Sequence, residues 1–201
     1  MTVFTFNRWS VLTGGTLIII LLSIAFIRIS ATGQRYKATE AKIAFLGKSD
    51  VIWVAVADYI PFKGDFEVDE SSLSRVSDVE FTGNADEFKS DDLQAQQAIQ
   101  EFFRLNHCTQ LLFKQRRAMI LPYMKKVHLI GDLNFGKANQ VLPMQLNYTL
   151  NADRTITVSG KQEIRLAEFD FIVPPQLRDK IADKMDLQLT FRLLPEEMFL
   201  D

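Results

Sequence analysis

Few residues in this 201-residue chain have side chains that do chemistry. It holds two histidines, His107 and His128, and one cysteine, Cys108. His107 and Cys108 are neighbours, so in an extended chain they point to opposite faces, which argues against a shared metal. A zinc site needs three or four ligands at defined spacing, and no such set of Cys, His and carboxylates stands out. A lone thiol also excludes an internal disulfide framework. His128 falls on the polar face of an alternating stretch, where exposure is the plain expectation. Asp65, Glu67 and Asp69 share one face of a short strand and could attract a cation, but a solvated acidic face explains them as well. Asp91-Asp92 reads as charge at the start of a helix, favourable near the positive end of its dipole. The stretch Thr13-Gly14-Gly15-Thr16 lies inside an apolar run and is no phosphate loop. Asn147-Tyr148-Thr149 is a glycosylation sequon only in a eukaryotic secretory setting, and it lies mid-strand. No strand-turn-helix nucleophile motif is present. A hydrolase working through His107 or His128 is therefore the weakest of the functional readings.

The composition points to burial. Apolar residues make up 47% of the chain and charged residues 24%, with a net charge of -2. That balance excludes a broad nucleic-acid surface, which needs clustered cations against phosphates. Sixteen Phe stand against four Tyr and two Trp. Phe brings apolar area without a polar handle, which suits a dry interior.

The N-terminal part divides from the rest. Residues 1–8 form a short tail. Residues 9–29 contain Val11 to Ile27, an uncharged apolar run between Arg8 and Arg28. About 20 apolar residues span a bilayer, and no small-residue cleavage site follows at signal-peptide spacing. An uncleaved anchor is the expectation, with a cleaved signal as the alternative. Flanking cations Arg28, Arg35, Lys37 and Lys42 would hold the domain in the cytoplasm. The very short tail before a large domain instead resembles a signal anchor, which exports it. Residues 30–38 read as a linker and 39–201 as one domain.

The domain reads as strands, because apolar residues recur with period two. In Lys126 to Phe135, Val127, Leu129, Leu133 and Phe135 share a face opposite His128, Asp132 and Asn134; Ile130 is out of phase. Leu142, Met144, Leu146, Tyr148 and Leu150 alternate in the next strand. Ile156, Val158 and Ile164 follow, then Leu187, Leu189, Phe191 and Leu193. Shorter strands are expected at Val51 to Ala57, Phe62 to Val68 and Val76 to Phe81. Leu111 to Lys114 and Ala118 to Leu121 flank a polar turn at Gln115-Arg116-Arg117. Two short helices are expected, Asp92 to Arg104 and Pro175 to Lys184.

About eight antiparallel strands with one apolar face must cover that face and hide their edges. Closing the sheet does both, and Gly131 and Gly160 lie mid-strand, where glycine permits a bend. An all-β, antiparallel eight-stranded barrel is the expected fold, with a sandwich as the alternative. Such a barrel either fills with its own side chains or holds one small ligand. Leu129, Leu133, Phe135, Met144, Leu146, Tyr148, Val158 and Phe191 are the candidate ligand-binding residues, or the core of a filled barrel.

The segment Glu101 to Lys114, with Phe102-Phe103 ending a helix and Phe113 on the strand that follows, resembles the YceI-like family. So do Phe62 to Asp69, the Gly131-Asp132-Leu133 strand, and Ile164 to Phe171 with Arg165 and Phe169. Asp170 departs from the family's glycine, and a His-Gly-x-x-Lys pattern survives only as Phe135-Gly136-Lys137. The resemblance covers about Thr39 to Pro195. It implies a lipocalin-like barrel, exported in bacteria, whose apolar tunnel binds a polyisoprenoid such as a quinone tail. It implies no shared catalytic motif; no cofactor or metal is expected from the residues themselves. The resulting expectation is a non-enzymatic carrier of an apolar lipid. It would be held at the inner membrane by a single-pass N-terminal helix, with its soluble domain in the periplasm. A membrane-tethered interaction module with a self-filled barrel is the alternative.

Overall fold

A computed structural model describes residues 33–46, 54–69, 71–176, 178 and 184–199. The apolar segment 9–29 lies outside the described residues. Among the described residues no helix is long and apolar enough to cross a membrane.

Nine strands form one antiparallel sheet: β1 (Gln34–Leu46), β2 (Val54–Asp58), β3 (Phe62–Asp69), β4 (Ser72–Asn84), β5 (Gln110–Leu121), β6 (Lys126–Phe135), β7 (Ala138–Leu150), β8 (Ile156–Arg165) and β9 (Lys184–Pro195). Eight of them run β1-β3-β4-β5-β6-β7-β8-β9, and β9 pairs back onto β1 from Asp186 to Pro195. The sheet is therefore a closed barrel rather than a sandwich. β2 is the ninth strand. It takes the far half of the β1 edge, Lys42 to Leu46, whereas β3 takes Gln34 to Tyr36. Between β2 and β3 the chain kinks at Tyr59, whose φ is 57°.

The alternation seen in sequence becomes inside and outside. Along β9 every second residue is buried, and β7 alternates in the same way from Leu142 to Tyr148. Two expectations need correction. Gln115-Arg116-Arg117 is not a turn: β5 is one strand, and its pairing with β6 slips by a residue between Gln115 and Arg117. The segment has no Gly, Pro or Asn to reverse the chain, so the extra residue is absorbed as a bulge. The strand expected at Val76 to Phe81 extends over Ser72–Asn84, because the β3 hairpin and β5 pair with residues on both sides of its apolar centre. β1 begins at Gln34, inside the stretch read as a linker, and its Tyr36 is buried.

Helix α1 (Leu93–Leu105) starts where Asp92 accepts a bond from the Ala95 amide at 2.9 Å. That bond satisfies one of the free amides of a helix start. Its buried stripe is Ala95, Ala98, Ile99, Phe102 and Phe103. The side chain of Asn106 anchors the helix end. Its Nδ2 donates to the carbonyls of Phe102 and Ile172, at 2.7 and 2.9 Å, and its Oδ1 accepts from the Ile172 amide at 2.6 Å. Of the second expected helix, Pro175, Gln176 and Arg178 are helical. Its Leu177 and Ile181 lie outside the described residues. Among the described residues all ladders and the apolar core fall between Gln34 and Pro195, within one compact unit, Gly33–Asp201.

Candidate functional site: the bore and its seams

All eight candidate ligand-binding residues face the bore. Leu129, Leu133, Phe135, Met144, Leu146, Tyr148, Val158 and Phe191 are each at most 3% exposed. Backbone register joins several of them directly. Leu129 lies opposite Met144, and Tyr148, Val158 and Phe191 form a row across β7, β8 and β9. They do not form one patch, however. Phe135 sits at the end covered by α1, and Tyr148 sits at the opposite end, one residue before the last pairs of β7 with β8.

Sequence reading missed half of the aromatic lining. Phe45, Phe81, Phe88, Phe102, Phe103 and Phe113 are buried in the same core. Phe62, Phe66, Phe81, Phe113 and Phe191 form one chain of ring contacts, the shortest being Phe62 to Phe191 at 4.4 Å. Phe135 is the hub of a second group. It touches Phe45, Phe102, Phe103, Phe169 and Phe171, with ring centroids 4.7 to 6.2 Å apart. The inward parity of Phe81 and Phe113 was available in sequence. Phe45 was not, because β1 was not read as a strand. Each buried Phe adds roughly 1.5–3 kcal/mol of burial, so these rings dominate the interior.

Both ends of the bore are fastened from inside. At the helix end Phe45 of β1 stacks on Phe135 of β6 at 5.4 Å. At the hairpin end the hydroxyls of Ser72 on β4 and Tyr148 on β7 share a 2.7 Å hydrogen bond. The Lys125 ammonium lies 5.6 Å over the Tyr148 ring and donates to the Ser71 carbonyl at 2.6 Å.

Besides the short β1–β3 ladder at Gln34 to Tyr36, two seams in the wall lack a full ladder. β4 pairs with β5 only from Glu80 and Lys114 to Asn84 and Gln110, so Ser72 to Val79 and Gln115 to Leu121 run unpaired with each other. One side-chain bond crosses there, from the Val79 amide to Gln115 Oε1 at 3.1 Å. β7 pairs with β8 only from Leu146 and Gly160 to Leu150 and Ile156. Beyond it the Gln140 amide reaches the Glu168 carbonyl at 2.6 Å. A largely apolar groove of about 370 Å³ runs over the outside of this region, lined by Met119, Ile130, Pro143, Met144 and Gln162 among others. A larger hollow of about 590 Å³ beside β2 is lined by Lys42, Asp58, Glu87, Lys89 and Asp91, a setting for ions or water rather than an apolar chain.

The reactive side chains form no common cluster among the described residues. Cys108 is buried, its Sγ 3.6 Å from the Asn106 carbonyl, and burial pushes its thiol up to about 11. A thiol held neutral is a poor nucleophile. His107, with φ 53°, edges a separate cleft with Lys137 and Phe171. His128 lies on the outer face of β6 between Met119 and Gln145. Glu67 pairs with Arg75 at 3.2 Å, while Asp65 and Asp69 are exposed. Among the described residues no group of three His, Cys, Asp or Glu could hold a metal.

No family model matches the chain, and no curated protein matches it. Solved structures do match. BcnA from Burkholderia cenocepacia aligns with TM-score 0.60 at 15% identity, over 76% of this chain and 95% of that one. A YceI protein from Campylobacter jejuni aligns with TM-score 0.53 at 13% identity, over 66% and 80%. A polyisoprenoid binding domain from Saccharophagus degradans, implicated in plant cell wall breakdown, aligns with TM-score 0.53 at 10% identity, over 80% and 98%. At these identities the likeness is one of fold. The chain has the barrel of these proteins.

Proposed function

We propose that this barrel binds the apolar tail of a lipid of the polyisoprenoid or quinone type, and that it is a carrier rather than an enzyme. The observation that carries this reading is the bore itself. A closed eight-stranded wall encloses a lining made almost wholly of Phe, Leu, Ile, Val and Ala, with Met and Tyr. Burial at about 25 cal/mol per Å² is the force such a lining offers a hydrocarbon chain. Two further points support it: the resemblance carried by Phe102-Phe103, Gly131-Asp132-Leu133 and Arg165, and the fold shared with a domain described as polyisoprenoid binding. The residues taking the tail are Leu129, Leu133, Phe135, Met144, Leu146, Tyr148, Val158 and Phe191. Segment 9–29 tethers the barrel to the inner membrane as a single span, with the domain in the periplasm, so that the bore stays near the bilayer that supplies its ligand.

The Phe45–Phe135 stack favours a second reading, a tethered interaction module whose bore is filled by its own side chains. Mass spectrometry of lipids extracted from the purified Gly33–Asp201 barrel separates the two. A stoichiometric isoprenoid or quinone supports the carrier. A lipid-free protein that also fails to take up added quinone overturns it.

A further inference from the structure

The segment Lys114 to Lys126 holds five cations, Lys114, Arg116, Arg117, Lys125 and Lys126, and no acidic residue, in a protein whose net charge is -2. It forms the later part of β5, from Lys114 to Leu121, and the tip joining β5 to β6, a 3-10 turn at Pro122–Met124. At that tip Tyr123 is 104% exposed and Met124 59%; on the same strand Met119 is 48% exposed. Arg116 is engaged by Asp132 at 2.6 Å, and Lys125 by the Ser71 carbonyl. Arg117 and Lys126 have no ion-pair partner among the described residues. The exposed Tyr123-Met124 pair, followed directly by Lys125 and Lys126, packs into no buried part of the molecule.

We propose that this hairpin tip docks on an anionic lipid bilayer. Tyr favours the interfacial zone, where its ring is buried and its hydroxyl stays wet. The Met124 thioether would sink beside it. Lys and Arg stems extend their charges to the headgroup level. Each cation near an anionic leaflet strengthens binding about fivefold; the segment itself carries no carboxylate, although Asp132 engages Arg116 and the adjoining β3–β4 hairpin carries exposed Asp69. The dock also faces the unpaired β4–β5 seam toward the lipid, because the tip continues directly from the Gln115 to Leu121 half of β5. This inference goes beyond the ligand reading: an empty barrel would bind vesicles equally well.

The test uses the compact unit Gly33–Asp201, which carries every described strand and lacks the apolar N-terminal run. Its sedimentation with vesicles of mixed phosphatidylglycerol and phosphatidylcholine is compared with phosphatidylcholine alone. Expected is binding at least about tenfold tighter to the anionic vesicles, weakened by salt. Lys126→Gln should lose about fivefold, and Tyr123→Ser with Met124→Ser should abolish binding, each variant keeping the circular dichroism of the parent. As a second readout, an environment-sensitive maleimide dye is placed at Tyr123→Cys; buried Cys108 does not compete. Its emission should shift blue on anionic vesicles, while the same dye at Asp91→Cys, beside the start of α1, should not. Equal binding to both vesicle types, unchanged binding by the variants, or a shift at position 91 instead of 123 would overturn the proposal.

Discussion

Phe45 lies flat on Phe135, with ring centroids 5.4 Å apart and planes 7° from parallel. Their strands stand four places apart around an eight-membered ring, on opposite walls of the barrel. The contact therefore crosses the bore and closes it beneath α1. Tyr148 and Ser72 cross it at the other end, three strands apart. A long apolar chain entering this bore must displace one of these two fastenings, so they are the natural targets for mutation.

Phe45→Ala removes one side of the stack. A large buried aromatic cut to Ala costs about 3–5 kcal/mol, read as a lower urea midpoint. If the bore takes isoprenoid tails, adding a soluble polyprenol at about 100 times its Kd should restore about 2.7 kcal/mol. If the bore is a solid core, the same additive leaves the midpoint where it was.

Tyr148→Phe keeps the ring and removes the bond to Ser72. The loss should be about 1 kcal/mol, the usual net worth of such a bond. Stopped-flow uptake of a fluorescent prenol should be faster than in the parent if this end admits the ligand. Unchanged uptake would assign loading to another part of the wall.

Gly131→Ala should be one of the most damaging small substitutions. A Cβ at Gly131 would press into the Phe113 ring and the Lys114 carbonyl, which belongs to the backbone and cannot yield. Overpacking of this kind costs about 1–3 kcal/mol or more. Thermal melts of G131A against a surface control such as Lys137→Ala check it.

Cys108 should resist thiol reagents in the folded protein at pH 8 and react at once in denaturant. Its thiol is raised from 9.0 to about 11 by burial. The neutral form is thus the one the fold favours. Its contribution to stability is complete below pH 9 and is lost as pH rises through about 11. Cys108→Ala should flatten the fall in stability between those limits, measured by denaturant midpoints at each pH.

Much of the wall was legible in advance. The parity of Lys126 to Phe135 put Val127, Leu129, Leu133 and Phe135 inside, and even the out-of-phase Ile130 lies on the outer face, leaving Gly131 to face Phe113. The helix that follows Asp91-Asp92 was readable from residue type alone, but which residue caps it was not: the cap is Asp92. The bulge at Gln115 to Arg117 was not, because a bulge and a turn leave the same local break in alternation. β1 was not, because its exposed Lys37 and Lys42 and its small Ala residues give a weak apolar signal; its strand state comes from pairing with β9.

Inside and outside were determined by the sequence itself, because successive side chains of a strand point to opposite faces and only near neighbours are needed to read them. Which inward residues meet was decided by the tertiary structure alone. Phe45 and Phe135, or Ser72 and Tyr148, become partners only after β9 closes onto β1 and the stagger of the eight strands sets which heights face each other across the bore. No local pattern encodes that stagger, since it belongs to the closed sheet as a whole.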